Sequence, residues 1–413
     1  MTQLLRNNIP FVLLLATRVV SEIGNQLLLF VVPWVIYNKT HSALALGITV
    51  AVGYLGEILG PFAGMLADGT FKKAVLVATD VLALVITSIG IAHGVSRMTP
   101  LYLYCFSFIL GMVEIFYWPV MQSSIRMIVP PGQIAVANGT WTSIKNAIWV
   151  GAPLFAGFGI SKLGIRGVFV IAAFTYMCAI ILDLSLRLPA PSVNTQIADA
   201  PQVDRIGIRF IMGNRAIRLV MVLTLMLNIP LGALEPQVLY IMRHRLHLAA
   251  VNVGTLLTVS NTAGILSGIA FPQLVQRASR NSRLSITSGL LLLIPAGWMF
   301  AFNMLTAQLS AWYMSFATSL FNVNVTNLRQ EIVPVSAIGR VSAVFRAGAR
   351  ILGPVTPIIG GLLVSKFGVS TVLDGCFAFM ILTVATVIGS LRQSHLGEVW
   401  DSDRYCDNHE LRG

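Results

Sequence analysis

Residues 11–37 read FVLLLATRVVSEIGNQLLLFVVPWVIY, an apolar run broken by the basic Arg18 and the acidic Glu22. At 1.5 Å per residue, a helix of this length crosses a hydrocarbon core of about 30 Å. Comparable runs recur along the chain, among them 74–92 and 284–302. Of the 413 residues, 56% are hydrophobic and only 11% charged, against roughly a quarter charged in ordinary globular chains. Such a chain has too few polar side chains to cover a surface in water, so the composition predicts lipid as the solvent.

In lipid every backbone amide needs an internal partner, and long apolar runs with frequent Gly and Pro predict helices rather than a barrel. The alternating ten-residue segments of a membrane barrel are absent from the sequence. The first run lacks a small-residue cleavage site, which predicts a retained helix rather than a signal peptide. The net charge of +12 comes from Lys and Arg in short loops between spans, so it marks orientation rather than a nucleic-acid surface. Cys105, Cys178, Cys376 and Cys406 show no CxxC spacing, which argues against a disulfide framework or a zinc site. No phosphate-binding loop and no HExxH pairing occur, so the expectation is no ATP, no metal, no cofactor and no enzymatic activity. The expected oligomeric state is a monomer.

The sequence predicts an all-α membrane protein of about twelve spans, at 10–37, 44–67, 73–95, 99–128, 134–162, 166–187, 217–243, 249–274, 283–303, 306–331, 338–364 and 370–391. Twelve spans put both termini on one side. The loops there hold Lys72, Lys73, Arg126, Arg205, Arg209, Arg280, Arg340 and others, whereas the opposite loops hold only Lys39, Arg97, Lys162, Arg166, Arg243, Arg245 and Lys366. The positive-inside rule then places both termini in the cytoplasm. The polar stretch from Pro189 to Asn214 predicts a cytoplasmic linker, 189–215, between six-helix bundles at 1–188 and 216–391, followed by a tail at 392–413. Ile128-Val129-Pro130 and Ile332-Val333-Pro334 lie 204 positions apart, and the same offset pairs Trp141 with Phe345, Pro153 with Pro357, Gly157 with Gly361, and Ser161-Lys162-x-Gly164 with Ser365-Lys366-x-Gly368. A constant offset over some forty residues indicates duplication. Two repeated helical halves are the arrangement that supports alternating access, with binding near the bilayer midplane.

The end of the second span, Gly64-Met65-Leu66-Ala67-Asp68-Gly69-Thr70-Phe71-Lys72-Lys73, resembles the major facilitator loop signature G-x-L-A-D-R-x-G-R-K and departs from it at Gly69 and Phe71. The resemblance implies a conformational latch built from Gly64, Asp68, Lys72 and Lys73, with Asp68 near a helix N-terminus or a basic side chain in one access state. Gly139, Ala152-Pro153 and Ala156-Gly157 are similar to the antiporter motif G-P-x-x-G-G. Small residues at Gly139 and Gly157 would let helices approach and Pro153 would bend the span, a pattern that ordinary helix packing also uses. Thr40-His41-Ser42-Ala43-Leu44 with Leu46-Gly47, Val129-Pro130, Ala137-Asn138-Gly139 and the acid of Gly111-Met112-Val113-Glu114 resemble the branch containing the enterobactin exporter and the macrolide efflux proteins. That resemblance implies proton-driven export of a small molecule across a bacterial inner membrane. A siderophore is the sharpest version, multidrug or macrolide efflux the alternative, and import by the same fold stays open.

A charge at the bilayer centre costs about 2.5–3.5 kcal/mol on insertion scales, so ionisable groups inside spans are the functional candidates. They are Arg18, Glu22, Glu57, Asp80, Glu114, Lys145, Asp183, Glu235, Arg346 and Arg350. Arg18 and Glu22, four apart on one face, suit either mutual neutralisation or proton exchange. Asn25 extends that polar stripe and makes Glu22 the first candidate for a protonatable carboxylate. Glu114 precedes Tyr117 and Trp118 on its face; it suits either proton exchange or structural pairing with Lys145. Glu57, among Gly56 and Gly60, and Glu235 complete the proton-coupling candidates. Arg18, Asn25, Tyr117, Trp118, Trp141, Lys145, Asn146, Trp149, Asn228, Asn261, Asn324 and Arg346 are the candidates for lining a substrate cavity. Arg346 and Arg350 suit either an anionic cargo or pairing with Glu331 or lipid phosphate.

Overall fold

The computed structural model describes residues 8–60, 63, 72–94, 97–186, 205–334 and 337–393, and helices are their only regular secondary structure. The first half contains α1 (Ile9–Thr40), α2 (Ala43–Leu55), α3 (Lys72–His93), α4 (Pro100–Ile128) and α5 (Ile134–Ser185). The second contains α6 (Arg205–Gly213), α7 (Arg215–Tyr240), α8 (Ala250–Leu274), α9 (Arg280–Leu291), α10 (Leu293–Met299), α11 (Met304–Ile332), α12 (Ile338–Ile351) and α13 (Thr356–Gln393). Seven helical stretches among the described residues are long and apolar enough to cross a membrane. Large apolar side chains such as Phe155, Phe174, Ile269 and Leu382 stand outward, a surface that suits lipid rather than water.

Twelve spans emerge once the breaks are read physically. Gly164 interrupts α5 at φ 69, ψ 173 and Gly368 interrupts α13 at φ 81, ψ 165, a region essentially reserved for glycine. Each therefore turns one continuous helix into two spans. Conversely, α9 and α10 form one span with a break near Leu292; Pro295, one turn on, has no amide to offer the carbonyl of Leu291. A four-residue turn, 352–355, containing Pro354 separates α12 from the first arm of α13 in the same manner. The short α6 precedes the seventh span.

The backbone carries the duplication further than the residue identities do. α4 and α11 start and end 204 positions apart, and each stops at an extended valine, Val129 or Val333, whose N–H donates to the carbonyl of Ile125 or Arg329 at 3.0 Å. The glycine breaks at 164 and 368 share that offset. α1 and α7 start on equivalent caps, Asn8 and Asn214, each accepting at 3.0 Å from the amide three residues on. Past these helices His41 and His247 both take positive φ, 48° and 51°.

Contacts divide the chain into two units, Met1–Ala200 with His247–Thr258, and Pro201–Leu246 with Val259–Gly413. The start of α8 joins the first unit because small residues let it lie against α5. A Cβ added at Gly157 would overlap the backbone of Ala250, and one added at Gly254 would overlap the carbonyl of Pro153. The N–H of Leu154 also donates to Thr258 Oγ1 at 3.1 Å. Gly139 differs from the packing role expected of it: a Cβ there would meet nothing within 4 Å, because that face of α5 is exposed. Gly64, Asp68, most of the 189–215 linker and most of the 392–413 tail lie outside the described residues.

These contacts set an expectation for two glycines of one helix. Gly157→Val should destabilise the fold by about 1–3 kcal/mol through overpacking. Gly139→Ala should be neutral or stabilise by up to about 1 kcal/mol, since Ala gives up less backbone freedom in a helix. Thermal unfolding in detergent checks the pair, and equal effects of the two substitutions would contradict the packing described.

Candidate functional site

α1 places Arg18, Ser21, Glu22 and Asn25 on one face at helical spacing, and all four are buried. Gly24 lies one step round the helix, where a side chain would collide with Thr175 and crowd Ala172 and Tyr176 on the second arm of α5. That close approach continues two turns away, where Thr17 Oγ1 donates to the Ala179 carbonyl at 3.1 Å and to Asp183 Oδ1 at 2.9 Å.

Arg18 does not pair along its own helix. Its Nη2 donates to Asp80 Oδ2 of α3 at 2.7 Å and to Asp183 Oδ2 of α5 at 2.5 Å, and all three side chains are almost wholly buried. Ser21 Oγ donates to Asp80 Oδ1 at 2.5 Å. The expected neutralisation of Glu22 by Arg18 is therefore replaced by pairing across three helices. Two carboxylates from neighbouring helices reach the same guanidinium nitrogen, Nη2.

Glu22 belongs to a second cluster one turn along. Tyr117 Oη donates to Glu22 Oε2 at 2.9 Å and Gln26 Nε2 to Glu22 Oε1 at 2.8 Å. Lys145 Nζ lies 2.6 Å from Glu114 Oε1 and 3.9 Å from Glu22 Oε1, and it donates to Tyr117 Oη at 3.0 Å. The same ammonium stands 5.0 Å from the ring centre of Trp118 and 5.5 Å from that of Tyr117. Asn25 Nδ2 approaches Glu114 Oε2 at 3.4 Å, while Asn25 Oδ1 is buried without a partner. A cavity of about 10 Å³, lined by Arg18, Ser21, Glu22, Asn25, Val113 and Tyr117, joins the two clusters; a water molecule needs about that much space. The side chain of Glu22 is 1% exposed, whereas those of Lys145 and Glu114 are 21% and 38% exposed. One wall of the site is therefore sealed and the other accessible.

Other expected residues lie elsewhere. Trp141 does not line this cavity: it is fully buried in an apolar cluster with Phe11, Leu14, Leu76 and Met121, so its ring is core. Asn146 and Trp149 are exposed on α5. Lys73 Nζ donates to the Leu184 carbonyl at the end of α5 at 2.7 Å, and Lys72 Nζ to Met127 Sδ at 3.4 Å. In the second unit Asn324 Nδ2 donates to Thr287 Oγ1 at 3.0 Å. Asn228 and Asn261 are half-buried and Glu235 is exposed. Glu331 is held by Arg283 at 2.6 Å and Arg280 at 3.1 Å. The side chains of Glu57, Arg346 and Arg350 lie outside the described residues. Asp80 and Asp183 are the residues whose part sequence reasoning left unassigned. The signal was available as a surplus of acids over bases within the first six spans.

Arg18 is the cation that meets both Asp80 and Asp183 among the described residues. Arg18→Met should therefore destabilise the first unit by about 3–5 kcal/mol, the usual result of leaving buried charge uncompensated. Adding Asp80→Asn should recover part of the loss. Thermal unfolding in detergent reads both, and an Arg18→Met protein that melts with the wild type would refute the assignment.

Against this geometry stand the comparisons with known proteins. A search of curated protein sequences returned no match. Among solved structures, the nucleoside transporter NupG superimposes with a TM-score of 0.73 at 13% identity, covering 92% of this chain and 100% of that one. A bacterial homologue of the human lysosomal transporter Spinster, inward-facing and occupied, gives 0.71 at 15% identity, covering 95% and 98%. A bacterial homologue of the iron transporter ferroportin, also inward-facing, gives 0.68 at 15% identity, covering 93% and 98%. The family model described as Major Facilitator Superfamily matches residues 14–345, and the chain belongs to that superfamily of membrane-embedded transporters.

Proposed function

We propose that this chain is a proton-coupled antiporter of the bacterial cytoplasmic membrane, with both termini in the cytoplasm, that exports a small molecule by alternating access. The observation that carries the reading is a charge balance. Within the first unit four carboxylates, Asp80, Asp183, Glu22 and Glu114, contact two cations, Arg18 and Lys145, which leaves a formal charge of −2. Uncompensated charge out of water is costly, and a carboxylate sheds that cost by taking a proton. Each cluster holds one surplus charge; the Arg18 cluster is almost wholly buried, whereas Glu114 and Lys145 are partly exposed, so Glu22 and Glu114 are taken as the exchangeable pair. A proton on either weakens the hold on Lys145 and rearranges the hydrogen-bonded chain Lys145–Tyr117–Glu22.

Export is supported by the resemblance of the 40–47 and 111–114 segments to the enterobactin and macrolide exporters, and a siderophore is the cargo that resemblance favours. The second reading, efflux of amphipathic drugs, is favoured by the rings of Tyr117 and Trp118 beside the acids. In this scheme the halves 1–188 and 216–391 rock about the linker 189–215. The basic pair Lys72 and Lys73, bonded at the ends of α4 and α5, works as part of the latch.

Two measurements test the reading. A deletion strain should lose a secreted small molecule that the wild-type gene restores. In vesicles loaded with that molecule, Glu22→Gln combined with Glu114→Gln should abolish transport driven by a pH gradient. Gradient-driven transport that persists in the double variant would overturn the coupling assignment.

A further inference from the structure

We infer that the Lys145 ammonium is a tethered stand-in for cargo: the site it fills is built to take the protonated primary or secondary amine of an amphipathic molecule. This rests on the proposed transport function and narrows its cargo to a molecule bearing a free amine, which suits the drug-efflux reading and excludes an anionic siderophore. Acceptors and aromatic faces surround the ammonium. Glu114 Oε1 lies at 2.6 Å, Tyr117 Oη at 3.0 Å and Glu22 Oε1 at 3.9 Å, with the faces of Trp118 and Tyr117 at 5.0 and 5.5 Å. Two carboxylates, a hydroxyl and two aromatic faces are the contacts an organic ammonium seeks.

A second, independent feature points the same way. Asn25 is buried beside the cavity, and its Oδ1 accepts from nothing. A buried acceptor without a donor is disfavoured unless something supplies an N–H or O–H. Lys145 does not supply it; in the empty site one water in the small cavity can, and an amine with two or more N–H groups bound between Glu22 and Glu114 replaces that water as donor. An anionic cargo would instead add charge beside carboxylates already in surplus. Glu114 and Lys145 form the less covered side of the site and Glu22 the sealed one. A ligand ammonium therefore meets Glu114 first, displaces Lys145, and lays its apolar body along Trp118, which is 37% exposed.

Because Lys145 competes for the same acceptors, it lowers the affinity the site shows to any free cation. The test uses the full-length protein in nanodiscs and three probes of one shape and different charge: phenylbutylammonium, phenylbutanol and phenylbutyrate. Calorimetry at neutral pH should show saturable binding of the ammonium, with the alcohol and the carboxylate weaker. Lys145→Met should tighten the ammonium about tenfold, the gain expected if the site stands vacant about a tenth of the time in the wild type. Lys145→Arg should not. Carboxylate or alcohol binding as strong as the ammonium's, or no saturable ammonium binding, would overturn the proposal on the wild type alone. A folded Lys145→Met protein that binds the ammonium no more tightly would do the same. No pH gradient enters these measurements, so ammonium binding that survives while gradient-driven transport proves independent of Glu22 and Glu114 would sink the proton coupling alone.

Discussion

A buried guanidinium and a partly exposed ammonium set among four carboxylates must be held by several helices at once, and this requirement organises the first unit. Arg18 draws on α3 and on the second arm of α5, and Lys145 draws on α1 and α4. A charge in low dielectric tolerates little displacement from its partner, because separation restores the desolvation cost without the attraction. The apolar packing below, where Phe11, Leu76, Met121 and Trp141 meet, holds the same four helices in register. Packing sets the distance between helix axes, and the ion pairs then fix which turn faces which.

The duplicated halves share backbone devices rather than chemistry. Helix ends, asparagine caps and glycine breaks recur at nearly constant offsets. The charges do not recur. At the 204 offset Glu114, Tyr117 and Lys145 correspond to Thr318, Phe321 and Ala349, and at the 206 offset of the first helices Arg18 and Glu22 correspond to Thr224 and Asn228. Caps and breaks are demanded by any helix that ends or bends at that place, so both copies keep them. Buried charge is tolerated only where its partners exist on neighbouring helices, so losing one member of a network favours losing the rest. Among the described residues of the second unit, Arg283 and Arg280 pair with Glu331 near the end of α11.

What could be read from the sequence follows from the range of each interaction. Spans were legible because crossing lipid is a property of consecutive residues; the Ser-Lys-x-Gly repeat was legible as duplication, and the structure adds that its two glycines are where the backbone breaks. The face of α1 carrying Arg18, Glu22 and Asn25 was equally legible from spacing. Partners across helices were not. Spacing suggested that Arg18 meets Glu22, whereas Asp80 and Asp183, 62 and 165 positions away, hold it. Periodicity likewise says that Trp141 and Gly139 sit on definite faces of α5 without saying what lies opposite. One face meets an apolar core, and the other meets no neighbour within reach of a Cβ.

Lysine rather than arginine at position 145 matters to how an exchanger built this way would work. Lysine is a compact charge on a flexible stem, whereas arginine presents a rigid, planar set of donors to carboxylates. Arg18, locked between two aspartates, fits the structural part. Lys145 makes one close carboxylate contact and one long one, the geometry of a cation that can be displaced. In the proposed scheme a proton, the lysine and a cargo amine all compete for Glu22 and Glu114. Competition for one pair of carboxylates is enough to make proton and cargo exclude each other. Antiport would then need no separate coupling site, only that the surplus of negative charge never exceed what a single unit of lipid-enclosed helices can tolerate.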